Sequence, residues 1–241
     1  MTQAAERAFT EADIAVLNEK LAGKPAEEII RWAADTFGSD ITFASSFGAE
    51  DVVVIDMIAR VAREVPVFTL DTGRLHQETY DVMERVRVKY ELPIVSFFPE
   101  RQAVETLERE KGFYSFRESI DARKECCGIR KVEPLKRALS GKRAWMTGLR
   151  ASQAATRTDM HAVEWDEGNG IAKVNPLIEW TEEQVWDYIK ANGVPYNDLH
   201  DQNFPSIGCA PCTRAIQPGE DVRAGRWWWE NPDSKECGLH R

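Results

Sequence analysis

Five cysteines carry the first chemical signal in this sequence. Four stand in two close pairs, Cys126-Cys127 and Cys209-Ala210-Pro211-Cys212, and the fifth, Cys237, lies near the end of the chain. Thiolates are soft ligands, and four of them suit zinc or an iron–sulfur cluster. Structural zinc usually draws on two spaced pairs, whose sulfurs close a small tetrahedron around one ion. An adjacent pair fits the more widely separated iron corners of a cubane better, so the spacing leans to a cluster and leaves zinc open. An odd count and a reducing compartment both speak against a disulfide framework. Cys237 is then left over as a thiol. Lys235, His240 and Arg241 are close to it in sequence and favour its thiolate, while Glu236 works the other way.

A second group of residues suits an anion. Ser45-Ser46-Phe47-Gly48-Ala49-Glu50-Asp51 falls where a strand meets a helix. Helix N-terminal amides attract anions, and small residues let backbone approach phosphate. The plainer reading of the same residues is a serine-capped helix start with a turn glycine. Leu70-Asp71-Thr72-Gly73 follows the next strand.

These residues need a scaffold, and the periodicity supplies one. Thr10 opens a helix that Gly23-Lys24-Pro25 breaks, and a second helix runs from Pro25 to Phe37, ended by Gly38. Residues 41–44, 65–70, 93–98 and 144–147 read as strands, with helices over 51–63 and 77–90 between the first three. Residues 162–165 and 171–174 read as a hairpin, and Thr181-Glu182-Glu183-Gln184 is a capping box opening a helix to 191. Strands alternating with helices predict an α/β fold, an open and mostly parallel sheet flanked by helices. In such sheets ligands bind beyond the carboxyl ends of the strands. Beyond Asn197 prolines and glycines crowd a region without periodicity. The expected organisation is a nucleotide- and cluster-binding domain over residues 1–215 and an irregular C-terminal tail over 216–241. In that tail Trp227-Trp228-Trp229 cannot all face one core; one or two would anchor the tail and another would meet a partner.

Composition narrows the function. Net charge is −9, which disfavours bulk nucleic acid as a partner. No apolar run is long enough for a membrane helix, and residues 1–8 resemble neither a signal peptide nor a transit peptide, so a cytoplasmic protein is expected.

The motifs also resemble known families. Ser45 to Asp51 looks like a degenerate pyrophosphatase loop (PP-loop) of the adenine-nucleotide α-hydrolase enzymes, Ser-Gly-Gly-x-Asp-Ser. Ser46 and Gly48 fit it; Phe47 and Glu50-Asp51 depart, which weakens the case for ATP cleavage while leaving nucleotide binding. Leu70-Asp71-Thr72-Gly73 also resembles this superfamily, which implies that Asp71, Thr72 and Gly73 lie beside the first loop and line the adenosine pocket. The Cys-Cys pair, the CxxC pair and the terminal Lys-Glu-Cys-Gly-Leu-His together resemble the assimilatory adenosine 5′-phosphosulfate reductases, relatives of the phosphoadenosine phosphosulfate reductases, from about residue 41 onward. The resemblance implies a [4Fe–4S] cluster on Cys126, Cys127, Cys209 and Cys212 and a nucleophilic Cys237. It implies reduction of adenosine 5′-phosphosulfate to sulfite and AMP in sulfate assimilation, through an S-sulfocysteine. With four thiols held by a cluster, no resolving cysteine remains in the chain, so thioredoxin or a glutaredoxin-like dithiol donor is required. A dense anion needs converging cations, and motif position selects Lys131, Arg150, Arg157, Arg223 and Arg226, with His240 near the sulfuryl group. Three other readings stay open: the same chemistry on the 3′-phosphorylated substrate, a PP-loop enzyme that uses ATP, and a zinc-stabilised nucleotide-binding module. A homo-oligomer is compatible with all of them.

Overall fold

The computed structural model describes residues 11–153 and 160–231. Its centre is a six-stranded sheet in the order β3-β2-β1-β4-β6-β5. The strands are β1 (Ile41–Ala44), β2 (Val67–Leu70), β3 (Ile94–Phe97), β4 (Ala144–Met146), β5 (Val163–Asp166) and β6 (Ile171–Val174). All neighbours pair in parallel except β5 and β6, which form the expected antiparallel hairpin at one edge. The open, mostly parallel sheet is therefore present as expected. Chain order reverses at β1. The chain steps outward through β2 and β3 on one side, then returns to place β4 on the other side of β1. Such a reversal opens a crevice at the carboxyl ends of the two central strands.

Helices α1 (Glu11–Leu21), α2 (Ala26–Phe37), α3 (Ala49–Val61), α4 (Gln77–Tyr90) and α8 (Glu182–Asn192) match the periodic segments. Along α2 the buried residues are Ala26, Ile29, Ile30, Ala33, Ala34 and Phe37, the spacing of a single helical face. Helix α3 is covered on nearly all sides, with Val52 to Ile58 all buried. It carries Asp56 into the core, where Tyr90 Oη (2.8 Å), Tyr188 Oη (2.7 Å) and Arg60 Nε (2.8 Å) all donate to its carboxylate. A buried carboxylate persists only with such partners. Helix α8 starts at the predicted capping box, Thr181 bonding to Gln184 in both directions.

Two differences matter for the site. Helix α3 begins at Ala49, two residues before the expected start, so Glu50 and Asp51 lie in its first turn. Residues 99–143, which gave no element in sequence, hold α5 (Arg101–Lys111), α6 (Ile120–Cys127) and α7 (Glu133–Leu139). A wide turn over Gly128–Val132 joins α6 to α7, with the Glu133 N–H bonding the Gly128 carbonyl. This i→i−5 spacing is rare and tends to occur at functional positions. Residues 216–231 have no helix or strand, but they pack onto the body. Thr213 bridges to Arg226, Ile216 N–H bonds the Asn203 carbonyl, and Trp227 is buried. No helix among the described residues is long and apolar enough to cross a membrane.

Candidate active site

The loop after β1 is held from inside. Phe47 adopts φ 61°, the left-handed conformation that favours glycine, and its side chain is fully buried. The departure from the Ser-Gly-Gly pattern is thus absorbed by the core: the backbone keeps a glycine-like shape while the ring packs inward. Ser45 Oγ accepts the Phe47 N–H at 3.1 Å. Asp51, from the first turn of α3, folds back and accepts both the Ser46 N–H (2.6 Å) and the Ser46 Oγ–H (2.8 Å) on Oδ2. Burial raises the Asp51 carboxyl from its ordinary 3.8 to about 6, against the opposing pull of the Ser46 bonds. Gly148, just past β4, makes room for this carboxylate. A Cβ at Gly148 would lie 2.3 Å from Asp51 Oδ1 and 3.1 Å from Asp51 N. Gly48 caps α3 in an ordinary extended conformation, and a Cβ there would meet only Ser46 and Glu50 side-chain oxygens at normal contact distance.

The loop after β2 is tied to the cysteines. Asp71 Oδ1 accepts the Gly73 N–H (2.9 Å) and the Tyr80 Oη–H (3.0 Å). Burial and the Asp71 bond push the Tyr80 phenol up to about 12, so it stays a donor. Thr72 Oγ1 stands 3.2 Å from Cys209 Sγ, and the Arg74 carbonyl accepts the Ala210 N–H at 2.8 Å. Arg130 Nη1 donates to the Thr72 carbonyl at 2.7 Å. Glu108 on α5 then clamps both cations, with Arg74 at 2.9 Å and Arg130 at 2.6 Å.

Cys126, Cys127, Cys209 and Cys212 are all buried thiols outside any disulfide, and all four line one cavity. Arg74, Arg130, Lys131 and Arg226 line it too. Cys126 is the penultimate residue of α6, and the wide turn that follows brings Arg130 and Lys131 to the same cavity. Burial pushes the Cys126 thiol up and, helped by neighbouring Cys209 and Cys127, the Cys212 thiol to about 12. At Cys209 burial also pushes upward, but Lys131, the Thr72 hydroxyl, Arg226 and Arg130 outweigh it, and the net direction is down. Among the described residues no three His, Cys, Asp or Glu side chains close around one metal ion. Trp227 floors the cavity, with the Arg123 and Arg226 guanidinium carbons 4.5 and 4.7 Å from its ring centre. Arg123 is fully buried and paired with Glu230 at 2.5 Å. A Cβ at Gly208 would lie 2.3 Å from Arg226 Nη2, so the guanidinium needs a glycine beside it.

Of the cations chosen from sequence, Lys131 and Arg226 reach the cysteine cavity. Arg150 instead bonds Glu50 at 2.8 Å and Ser152 Oγ at 2.7 Å, which brings it to the β1 loop as part of the frame. Arg223 is half-buried, its backbone closing the turn that precedes Arg226, and it does not line the cavity. Arg157, Cys237 and His240 lie outside the described residues. Sequence reasoning missed Arg74, Arg123, Arg130 and Glu108. Only Arg130 left a signal, its four-residue spacing from Cys126.

Comparison with known proteins agrees with this geometry. The model of the phosphoadenosine phosphosulfate reductase domain matches residues 40–215. An adenosine 5′-phosphosulfate reductase of Allochromatium vinosum is 54% identical over 201 residues, 83% of this chain and 78% of that protein. One from Pseudomonas aeruginosa is 46% identical over 234 residues, 95% of this chain and 86% of that protein. Among solved structures, the phosphoadenylyl-sulfate reductase of Candida auris superposes with a TM-score of 0.75 at 31% identity, covering 86% of this chain and 98% of that one. The FMN adenylyltransferase of Candida glabrata shares the fold at a TM-score of 0.54 and 13% identity, over 96% of this chain and 78% of that one. The crevice at the reversal of the sheet, the two anchored loops and the four thiols beside them are therefore those of a member of the phosphoadenosine phosphosulfate reductase family.

Proposed function

We propose that this chain reduces adenosine 5′-phosphosulfate to sulfite and AMP, with Cys237 as nucleophile and thioredoxin as electron donor. The observation that carries this reading is the junction of two sites. The β2 loop that would hold the nucleotide touches the cysteine cavity through Thr72 and Cys209, and Arg130 spans both. An adenylated sulfate lying across the crevice would then face Lys131 and Arg226 with its charged end. Relatives at 54% and 46% identity that carry the name adenosine 5′-phosphosulfate reductase support the same substrate.

The donor set fits an iron–sulfur cluster. The four thiols are buried, share one cavity and face four cations that offset the charge of thiolates. The adjacent pair Cys126-Cys127 suits the separated iron corners of a cubane better than the tight tetrahedron of one zinc ion. Cys126, Cys127, Cys209 and Cys212 would hold a [4Fe–4S] cluster, which would supply a fixed local charge and a rigid link between loops rather than electrons.

The chain's own residues do the rest. The Cys237 thiolate attacks the sulfuryl sulfur, and the bond from sulfur to the bridging phosphate oxygen breaks. AMP leaves with its charge on phosphate oxygens, stabilised by the cations that bound them. A donor thiolate next attacks Cys237 Sγ and releases sulfite, leaving a mixed disulfide. The second donor thiol resolves it, so the dithiol supplies both electrons and leaves as a disulfide. Mass spectrometry of the intact chain after incubation with the substrate tests this directly. A sulfo adduct confined to Cys237 is expected, and its absence from active protein would reject the mechanism. The Candida auris neighbour's name favours a second reading, the 3′-phosphorylated substrate. Parallel measurement of sulfite from both substrates separates the two.

A further inference from the structure

Beside the cysteine cavity lies a cluster of exposed aromatic residues that neither the core nor the proposed chemistry uses. Phe113 and Tyr114 are 66% and 64% exposed, and Trp228 is 37% exposed. Scattered exposed aromatics are ordinary, but Tyr114 and Trp228 are organised around one cation, with Phe113 next to Tyr114 in the chain. The Arg117 guanidinium carbon lies 5.3 Å from the Tyr114 ring centre and 5.5 Å from that of Trp228. Arg117 Nη2 also donates to the Pro211 carbonyl inside the CxxC turn, at 3.2 Å. Tyr114, Trp228 and Arg117 therefore form one contiguous surface whose underside is the cysteine loop. Tyrosine, tryptophan and arginine are the residue types that dominate binding energy at protein interfaces.

The position of the chain end identifies the occupant. Cys237 follows Trp228 by nine residues. Nine residues span at most about 30 Å. Any protein that attacks the Cys237 sulfur must therefore work within that radius of Trp228. We infer that the Phe113–Tyr114–Arg117–Trp228 surface docks the protein dithiol that releases sulfite from Cys237. The inference rests on the reaction proposed above. The partner's required chemistry is an exposed cysteine pair set in an apolar face that can cover these rings. Trp229, packed at 4.8 Å against Trp228 and 5.9 Å from Phe116, fixes the surface to the cavity wall.

The test uses the full chain carrying Phe113→Ser and Tyr114→Ser, and separately Trp228→Ser, with two reductants. First, the sulfo adduct is formed on Cys237 and counted; failure at this stage in the unaltered chain would reject the reaction itself, not the docking surface. Reduced thioredoxin and a small dithiol are then compared as sulfite-releasing agents. The docking role gives a KM for thioredoxin raised roughly ten-fold or more, the scale expected for lost interface anchors. Adduct formation and release by the small dithiol stay unchanged. Equal thioredoxin KM values in the variants and the unaltered chain would overturn the inference. So would slower adduct formation, which would mean that the tail itself covers the surface. A dimer in sedimentation that the double variant dissociates would assign the surface to a second copy instead.

Discussion

Replacing Asp51 by asparagine should change how stability depends on pH, and the change can be worked out in advance. In the folded chain Asp51 keeps its proton up to about pH 6, whereas the unfolded chain releases it near the ordinary 3.8. Between those values the folded state binds more protons. Stability therefore falls as pH rises through this window, is fully present below it, and is fully lost above it. A rise from 3.8 to about 6 corresponds to about 3 kcal/mol at 1.36 kcal/mol per pH unit. The carboxyl is wholly buried, so solvent screening does not reduce this. The asparagine of the Asp51→Asn variant would keep one oxygen to accept the Ser46 N–H and Oγ–H, and it does not titrate. Urea unfolding of both chains from pH 4 to pH 8 isolates the effect, since every other carboxylate cancels in the difference. The wild-type chain should lose about 3 kcal/mol relative to the variant across the window. A flat difference would refute the reasoning. A wild-type chain that gains on the variant as pH rises would mean that the Ser46 bonds outweigh burial.

Three further outcomes follow from other contacts. Gly148→Ala forces the Asp51 carboxylate away from Ser46; two hydrogen bonds to a charged group, at roughly 1.5 kcal/mol each, give a loss of about 3 kcal/mol in chemical denaturation. Arg130→Lys keeps the charge but loses the fork that joins the Thr72 carbonyl to Glu108, so KM for substrate should rise roughly ten-fold with the protein still folded; an unchanged KM would remove Arg130 from the positioning of the β2 loop. Extraction of bound iron by a chelator should bleach visible absorption and lower Tm, because Arg74, Arg130, Lys131 and Arg226 then line one cavity without the anionic group expected there; a colourless protein containing zinc would instead support the zinc-stabilised reading.

What the sequence made legible was whatever repeats or caps. The runs Ile41-Thr42-Phe43 and Val67-Phe68-Thr69 are buried throughout and read as parallel strands. Thr181 to Gln184 announced the start of α8. Helix α5 was easy to miss for a physical reason: Ala103, Val104 and Leu107 share one face at helical spacing, but the other residues of Arg101 to Lys111 are polar and only Leu107 is buried. The wide turn after Cys127 leaves no local mark. Its effect, however, is what brings Lys131 to the cavity wall. Arg130 and Arg123 could not be told from surface arginines, since burial of a guanidinium depends on partners far away in sequence, Thr72 and Glu230. The contacts of Arg150 were equally invisible in sequence: its partner Glu50 lies 100 residues away, in the first turn of α3, where the Ser-Gly-Gly-x-Asp-Ser pattern has its aspartate.

The same contacts bear on how the two halves of the site act together. A nucleotide loop and a thiol site on separate elements would ordinarily vary in separation as each relaxes. Here the link is short: Thr72 contacts Cys209 in a buried pair, Arg130 bonds the Thr72 carbonyl from the wide turn that follows the helix carrying Cys126, and Glu108 holds Arg130 against Arg74. The Arg74 carbonyl in turn accepts the Ala210 N–H within the CxxC turn, which closes the circuit. Each member is fixed by two others, so moving the β2 loop by a bond length must move both cysteine pairs. A cluster held by those pairs would therefore set the distance between substrate and cations without exchanging an electron. In the proposed reaction the outside dithiol would then have one task alone, the reduction at Cys237.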